Sequence, residues 1–352
     1  MRAISAEDSV SFAFQRTRDF LFRPFRWGTY LKLGLVALIT EGIGSNSHFN
    51  NNHGSHHGAQ VYPQGPVIDS LRDIKPEWIA AIAAGVLIVM LISIVIFYLV
   101  TRLRFAFFHC LVEKTTRIAP GWHLYRSQAT RFFWLNVVIG IFSFLVIVLI
   151  ALPFAAGFWR VFHSIPPGGQ PDWGMLIALA LPIIPIILLL VLAAFVVDII
   201  LRDFMLPHFA LDNATSGQAF ARAWSAIMTE KRQFLVYALF RVILPIIAAI
   251  GVFAVLLIPG LFLAGAIAVI EYSLHSVFSG SSGATFVVGV IFQVFFGLVA
   301  FGFALLAGIC LGGPLSTGVR EYALIFYGGR YPALGNLLYP SPPASLMGSP
   351  AD

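Results

Sequence analysis

Six apolar runs, each ended by a short polar stretch, lay out this chain. They fall at about 27–44, 79–101, 132–156, 174–201, 234–257 and 286–312. A helix needs about 20 mostly apolar residues to cross roughly 30 Å of hydrocarbon, so the pattern predicts six transmembrane helices. The first run is short and carries Lys32 and Glu41 near its ends, where long side chains can snorkel to the interface. The run over 234–270 is too long for one crossing. Pro259 and Gly260 predict a break there, with 258–272 re-entrant or interfacial.

Before three of the runs the period changes to that of an amphipathic helix. These segments are about 6–26, 120–131 and 216–230. In the third, Thr215 and Gln218 have capping-box spacing, and Phe220, Ala223, Trp224, Ile227 and Met228 recur on one apolar face. In the first, Ser5 to Asp8 forms a similar cap, and Val10, Ala13, Phe14, Thr17 and Leu21 share a face. In the second, Pro120 suits a first helical position, and Trp122, Tyr125 and Ala129 make a looser stripe. The expected architecture is an all-α integral membrane domain, residues 1–334. It consists of three degenerate hairpin units, each preceded by a cytoplasmic interfacial helix. A Pro- and Ser-rich tail over 335–352 is expected to be disordered.

Composition agrees with this plan. The chain has 352 residues, 59% hydrophobic and 11% charged, where a soluble domain carries roughly a quarter charged residues. The net charge of +6 does not point to nucleic acid, because the basic residues flank loops rather than forming a patch. Seventeen Lys and Arg lie on the side of both termini and three on the other. That bias predicts a multi-pass protein of a bacterial-type inner membrane with both termini cytoplasmic. The N-terminal stretch lacks the uninterrupted apolar core of a signal peptide. Cys110 and Cys310 imply no disulfide framework.

Candidate chemistry is sparse. His109 precedes Glu113 by four residues, and His208 precedes Asp212 in the same way. That spacing puts both members on one helix face, as a general base or metal pair requires. Each pair is followed by a Trp (Trp122, Trp224) and, ten residues later, by a Phe that opens a span (Phe132, Phe234). The pairs therefore read first as repeat markers, and no catalytic residue is assigned. His53, His56 and His57 are spaced for a labile transition-metal site, but their Asn/Gly/Ser tract supplies no Cys or acid. No metal or cofactor is expected.

The stretch over 204–246 resembles the repeat of bacterial multi-pass membrane proteins of unknown function. These are similar to the membrane domain that accompanies some glycerophosphodiester phosphodiesterases. Pro207, Asp212, the Ala223–Trp224 pair, Phe234, Tyr237 and Arg241 carry the resemblance. It implies a membrane module, associated with lipids, and no phosphodiesterase activity, since that belongs to a separate soluble barrel.

Charges and small residues inside the spans complete the picture. Asp198 and Arg241 lie at comparable depth and are expected to pair between the fourth and fifth spans, while Glu41 and Glu271 occupy opposite, outer ends. Ala300, Ala304, Gly308 and Gly312 recur every four residues, a spacing that lets helices approach closely in lipid. Pro153, Pro182 and Pro185 fall within spans, where prolines bend helices.

The leading expectation is a non-enzymatic membrane module that associates with lipid headgroups, a membrane protein partner or a second copy of itself. Trp122, Trp224, Arg222, Lys231 and Arg232 would touch the headgroups. The alternative is a small transporter or channel using Asp198 and Arg241. A membrane-embedded enzyme acting on lipid, with His109, Glu113, His208 and Asp212, comes third.

Overall fold

The computed structural model describes residues 4–43, 76–163, 173–278 and 284–339. Among them all regular structure is helical. The helices are α1 (Ala6–Phe22), α2 (Trp27–Ala37), α3 (Pro76–Val112), α4 (Ile118–Leu124), α5 (Arg126–His163) and α6 (Trp173–Ala180). They continue with α7 (Ile183–Ile199), α8 (Leu206–Leu211), α9 (Ser216–Thr229), α10 (Lys231–Phe278), α11 (Ala284–Gly328) and α12 (Pro332–Leu338). Two π-helical segments interrupt this series, Leu38–Ile43 after α2 and Ile200–Met205 between α7 and α8.

Five stretches are long and apolar enough to cross a membrane: Ala80–Val112, Arg126–His163, Trp173–Leu211, Lys231–Ile270 and Val287–Gly328. The chain is thus a multi-pass membrane protein, with five such helices among the described residues; the expected run 27–44 is described only as far as Ile43. The break expected at 258–272 is absent, since α10 runs unbroken through Pro245 and Pro259. In lipid, neighbouring groups and local adjustment can satisfy carbonyls freed by a proline. The segment expected as one helix over 120–131 is divided: α4 ends at Leu124, and Arg126 already begins α5. The expected tail boundary at 335 also moves, because α12 packs Leu334 and Leu338 against Gly328. Residues 340–352 and the histidines at 53, 56 and 57 lie outside the described residues.

The first apolar run, 27–44, is not one of the five. Its helix α2 pairs with α1 as a hairpin laid along the C-terminal part of α11. The direction of each follows from its contacts. Going up α1, Arg330 Nη1 donates to the Ile4 carbonyl, Arg16 meets Glu321, and Thr17 lies beside Gly318. Going down α2, the Tyr30 hydroxyl donates to the Cys310 carbonyl, Gly34 meets Gly313, and Glu41 comes within 4.0 Å of Arg320. So α1 runs antiparallel to α11 and α2 parallel to it. On α1 the buried face is Ala6, Ser9, Ala13, Thr17 and Leu21, one small residue per turn. Phe14, expected on that face, is 72% exposed.

Nearly all burial lies at one end of the molecule. The C-terminal ends of α3, the α7–α8 passage and α11 meet the N-terminal ends of α5 and α10 around an aromatic core of Phe105, Phe132, Phe204, Phe209, Tyr237 and Phe326. The Tyr237 and Phe326 rings stack 4.4 Å apart, and Phe204 meets Phe234 edge-on at 5.0 Å. Beyond this packed end the apolar helices separate. Leu149, Leu188 and Leu298 are each at least 64% exposed, surface that water would not tolerate and lipid does.

Candidate functional site

Each π-helical segment delivers one acid into the packed end. A π turn inserts an extra residue and shifts the faces that follow it. Glu41 comes from Leu38–Ile43 and Asp203 from Ile200–Met205. Four arginines converge on them from four helical passages: Arg104, Arg202, Arg241 and Arg320. Arg241 reaches Asp203 Oδ2 at 3.0 Å and Glu41 Oε2 at 3.2 Å. Arg320 Nη1 lies 3.1 Å from Asp203 Oδ1 and donates to the Arg202 carbonyl at 2.9 Å. The Tyr237 hydroxyl donates to Asp203 Oδ2 at 2.7 Å. The Thr40 carbonyl accepts from both Arg104 and Arg202, each at 3.3 Å.

Asp198 and Arg241, expected to pair, do not. Asp198 is engaged by Arg202, one helical turn away, at 3.0 Å. Asp198 sits at the edge of the node with its side chain 34% exposed, whereas Asp203 is fully buried. Glu41, expected at the outer end of a span, stands among the arginines. Burial opposes its charge, but Arg320, Arg202, Arg241 and Arg104 overcome that and hold its carboxyl down at about 2. With four arginines against Glu41, Asp198 and Asp203, the node carries one formal positive charge in excess. A charge buried without a partner is costly. The paired arrangement therefore ties α2, α3, the α7–α8 passage, α10 and α11 together.

The two His-x-x-x-acid pairs have different fates. His208 is 3% exposed; its Nδ1 lies 3.2 Å from Asp212 Oδ2 and its Nε2 lies 2.7 Å from the Tyr327 hydroxyl. Arg222 closes on the same Asp212 oxygen. His109 makes no such contact with Glu113; its ring lies edge-on to Tyr125 at 5.9 Å, and its Cβ sits against Gly121. His208, Asp212, Arg222, Tyr327 and Tyr331 border an open cleft of about 490 Å³, whose other wall holds Arg330 and Glu230, paired at 2.7 Å. Partial burial would raise the Asp212 carboxyl, but Tyr331, His208 and Arg222 beside it hold it below the usual range. In this cleft Arg222 pairs with Asp212 and Arg330 with Glu230.

A second cleft, about 590 Å³, lies at the elbow between α1 and α2. Arg16, Arg23, Arg26 and Lys114 line it, with Thr29, Thr116 and one acid, Asp19. Arg16 forms its floor: the guanidinium binds buried Glu321 at 2.9 Å and donates to the carbonyls of Leu111 and Leu338. Around the elbow Phe22, Phe25 and Trp27 are exposed, with Phe25 and Trp27 edge to face at 5.1 Å. The elbow stands at the level of Cys310. That is about 15 Å from Arg320 along α11 at 1.5 Å per residue, on the side where the apolar helices separate.

The remaining expected residues do not converge. Arg102 lies over the Trp122 ring at 4.3 Å and donates to the Trp122 carbonyl. Trp224 is exposed and stacks on Phe220 at 5.8 Å, while Ala219 and Ala223 make the buried edge of α9. Arg222 is occupied by Asp212, and Lys231 and Arg232 are exposed where α10 starts. Of the small-residue stripe, Gly312 approaches the π-helical segment after α2, where an added Cβ would stand a tight 3.0 Å from the Leu38 side chain. Ala304 and Gly308 face outward, and the close helix crossing is Gly34 on Gly313. Among the described residues no group of three or more His, Cys, Asp or Glu is placed to hold a metal ion.

Sequence reasoning missed Asp203, Arg104, Arg320 and Tyr327, and singled out Tyr237 only for the resemblance. The visible signal was Asp203 directly after Arg202 at the end of an apolar run, a charge that needed a partner. The chain belongs to a family of unknown function, DUF7544, which matches residues 4–337. No curated protein and no solved structure matches it.

Proposed function

We propose that this DUF7544 member is a non-enzymatic inner-membrane module that associates with lipid headgroups, its packed end cytoplasmic. One observation carries the reading: the α1–α2 elbow bears Phe22, Phe25 and Trp27 beside Arg23 and Arg26, all exposed, on the side of the separating apolar helices. Aromatic rings with one wet and one apolar side settle at the membrane–water boundary, and basic side chains there are drawn to anionic lipid. The headgroup contact thus moves from Trp122, Trp224, Arg222, Lys231 and Arg232 to the elbow. The positive-inside bias supports the orientation. A transporter or channel loses its motivating pair, since Asp198 and Arg241 each have another partner.

The test is depth. A nitroxide on Phe25→Cys, in a background of Cys110→Ala and Cys310→Ser, is measured by power-saturation electron paramagnetic resonance in nanodiscs. Relaxation matching the phosphate level of the bilayer is expected. Relaxation matching a fully aqueous site would overturn the proposal.

A further inference from the structure

We infer that the elbow cleft binds the phosphate of an anionic phospholipid headgroup that carries about two negative charges in all. The inference rests on the headgroup reading above and goes further, naming the site and the chemistry it recognises.

Basic side chains outnumber their paired acids in this cleft. Arg16 is neutralised by Glu321 at 2.9 Å, and its other guanidinium nitrogens are held by two carbonyls. Arg23 lies 3.4 Å from Asp19, the only acid lining the cleft. Arg26 and Lys114 line the same space and form no ion pair among the described residues. Two basic side chains therefore face one cleft with no acid paired to either of them among the described residues. Like charges facing one cleft repel, and such an arrangement is retained at less cost when an anion sits between them. Lys114 is held there by its backbone, in the left-handed region at φ 52° in the turn after α3, while Arg26 caps the start of α2. The Thr29 and Thr116 hydroxyls, one from each wall, can donate to phosphate oxygens that the two cations leave free.

A lipid source fits the rim better than a soluble phosphate compound does. Phe12 and Phe20 line the cleft from α1, and Phe22 and Phe25 continue the apolar edge toward the separating helices. A phosphate seated between Arg26 and Lys114 would leave its acyl chains to pass along this aromatic edge into the bilayer. The other basic positions lack the combination: Arg222 and Arg330 are each matched by an acid, and Lys231 and Arg232 lie outside both clefts.

Native mass spectrometry of the full chain from nanodiscs tests this, using phosphatidylcholine alone and with one tenth phosphatidic acid or cardiolipin. The wild type is expected to retain phosphatidic acid or cardiolipin. Arg26→Gln with Lys114→Gln is expected to lower that retention about tenfold to thirtyfold, for two lost basic contacts. The charge-matched control, Lys231→Gln with Arg232→Gln, should behave as wild type. An unchanged melting temperature in phosphatidylcholine shows that the cleft variant is folded. Equal retention by the two double variants overturns the cleft as the site, while the Phe25 depth measurement still judges the broader proposal separately. Stabilisation by millimolar inorganic phosphate, with none by anionic lipid, would overturn the lipid source.

Discussion

Arg241 on α10 binds Asp203, 3.0 Å away in the π-helical segment before α8, and passes over Asp198, five residues earlier on the same passage. One carboxylate thus collects Arg241, Arg320 and the Tyr237 hydroxyl, while its neighbour is engaged by Arg202. The contrast ranks the two acids by energy.

Removing one partner from a buried, hydrogen-bonded charge cluster costs about 3–5 kcal/mol, because the remaining charges stay buried. Asp203→Asn should therefore lower the thermal stability of the purified protein severely. Asp198→Asn, at a partly solvated edge, should cost less than this, although it takes the carboxylate from buried Arg202. Melting curves of both variants in one detergent check the order; equal losses would remove Asp203 from the centre of the node.

Pairing at Asp203 was not legible from the sequence, and the reason is geometric. Apolar runs announce themselves by length, so the spans expected from 79, 132, 174, 234 and 286 onward all fall within long helices. Helical wheels assume 3.6 residues per turn, and a π turn breaks that assumption where Glu41 and Asp203 enter the node. The first run is a related case. "WGTYLKLGLVALITEGIG" is apolar enough to suggest a crossing, but Gly34 and Ala37 are there to press α2 onto α11. Local features fared better: the Thr215–Gln218 capping box forms as its spacing predicts. Which of two similar His-acid pairs would be buried depended on Tyr327, more than a hundred residues away, and no local pattern carries that.

Small residues on α11 should also separate by cost. A Cβ on Gly313 would stand 2.5 Å from the Gly34 Cα, a backbone atom that cannot move aside. Gly313→Ala is expected to destabilise by about 1–3 kcal/mol through overpacking. Gly308→Ala meets nothing within 4 Å and should be neutral. The two variants, compared by thermal aggregation in detergent, distinguish the observed crossing from the four-residue stripe.

Tyr327→Phe should strand His208 Nε2, which lies 2.7 Å from that hydroxyl in a buried setting. An unsatisfied buried polar atom costs about 1–3 kcal/mol. Since the tyrosine ring is kept, the loss reports the hydrogen bond. A melting temperature unchanged from wild type would show that the imidazole has found another partner.

Acid should act through Glu41. Its carboxyl is depressed from 4.5 to about 2 in the folded chain. The stability it contributes is thus fully present above 4.5 and is lost as the pH falls toward 2. Between those values the wild type should lose stability more steeply than Glu41→Gln, which lacks the group, and above pH 5 their slopes should coincide. Parallel slopes throughout would contradict the depressed carboxyl.

Because the five long helices are joined at one end and bare along most of their length, bilayer thickness is a variable this molecule can absorb. A tightly packed bundle resists mismatch, since tilting one helix disturbs its neighbours; here the legs touch little beyond the packed end, α5 and α6 meeting at Gly157 and Leu179, and can lean while the arginine–carboxylate node stays intact. Lipids of shorter or longer chain should then alter the spread of the legs before they alter the fold.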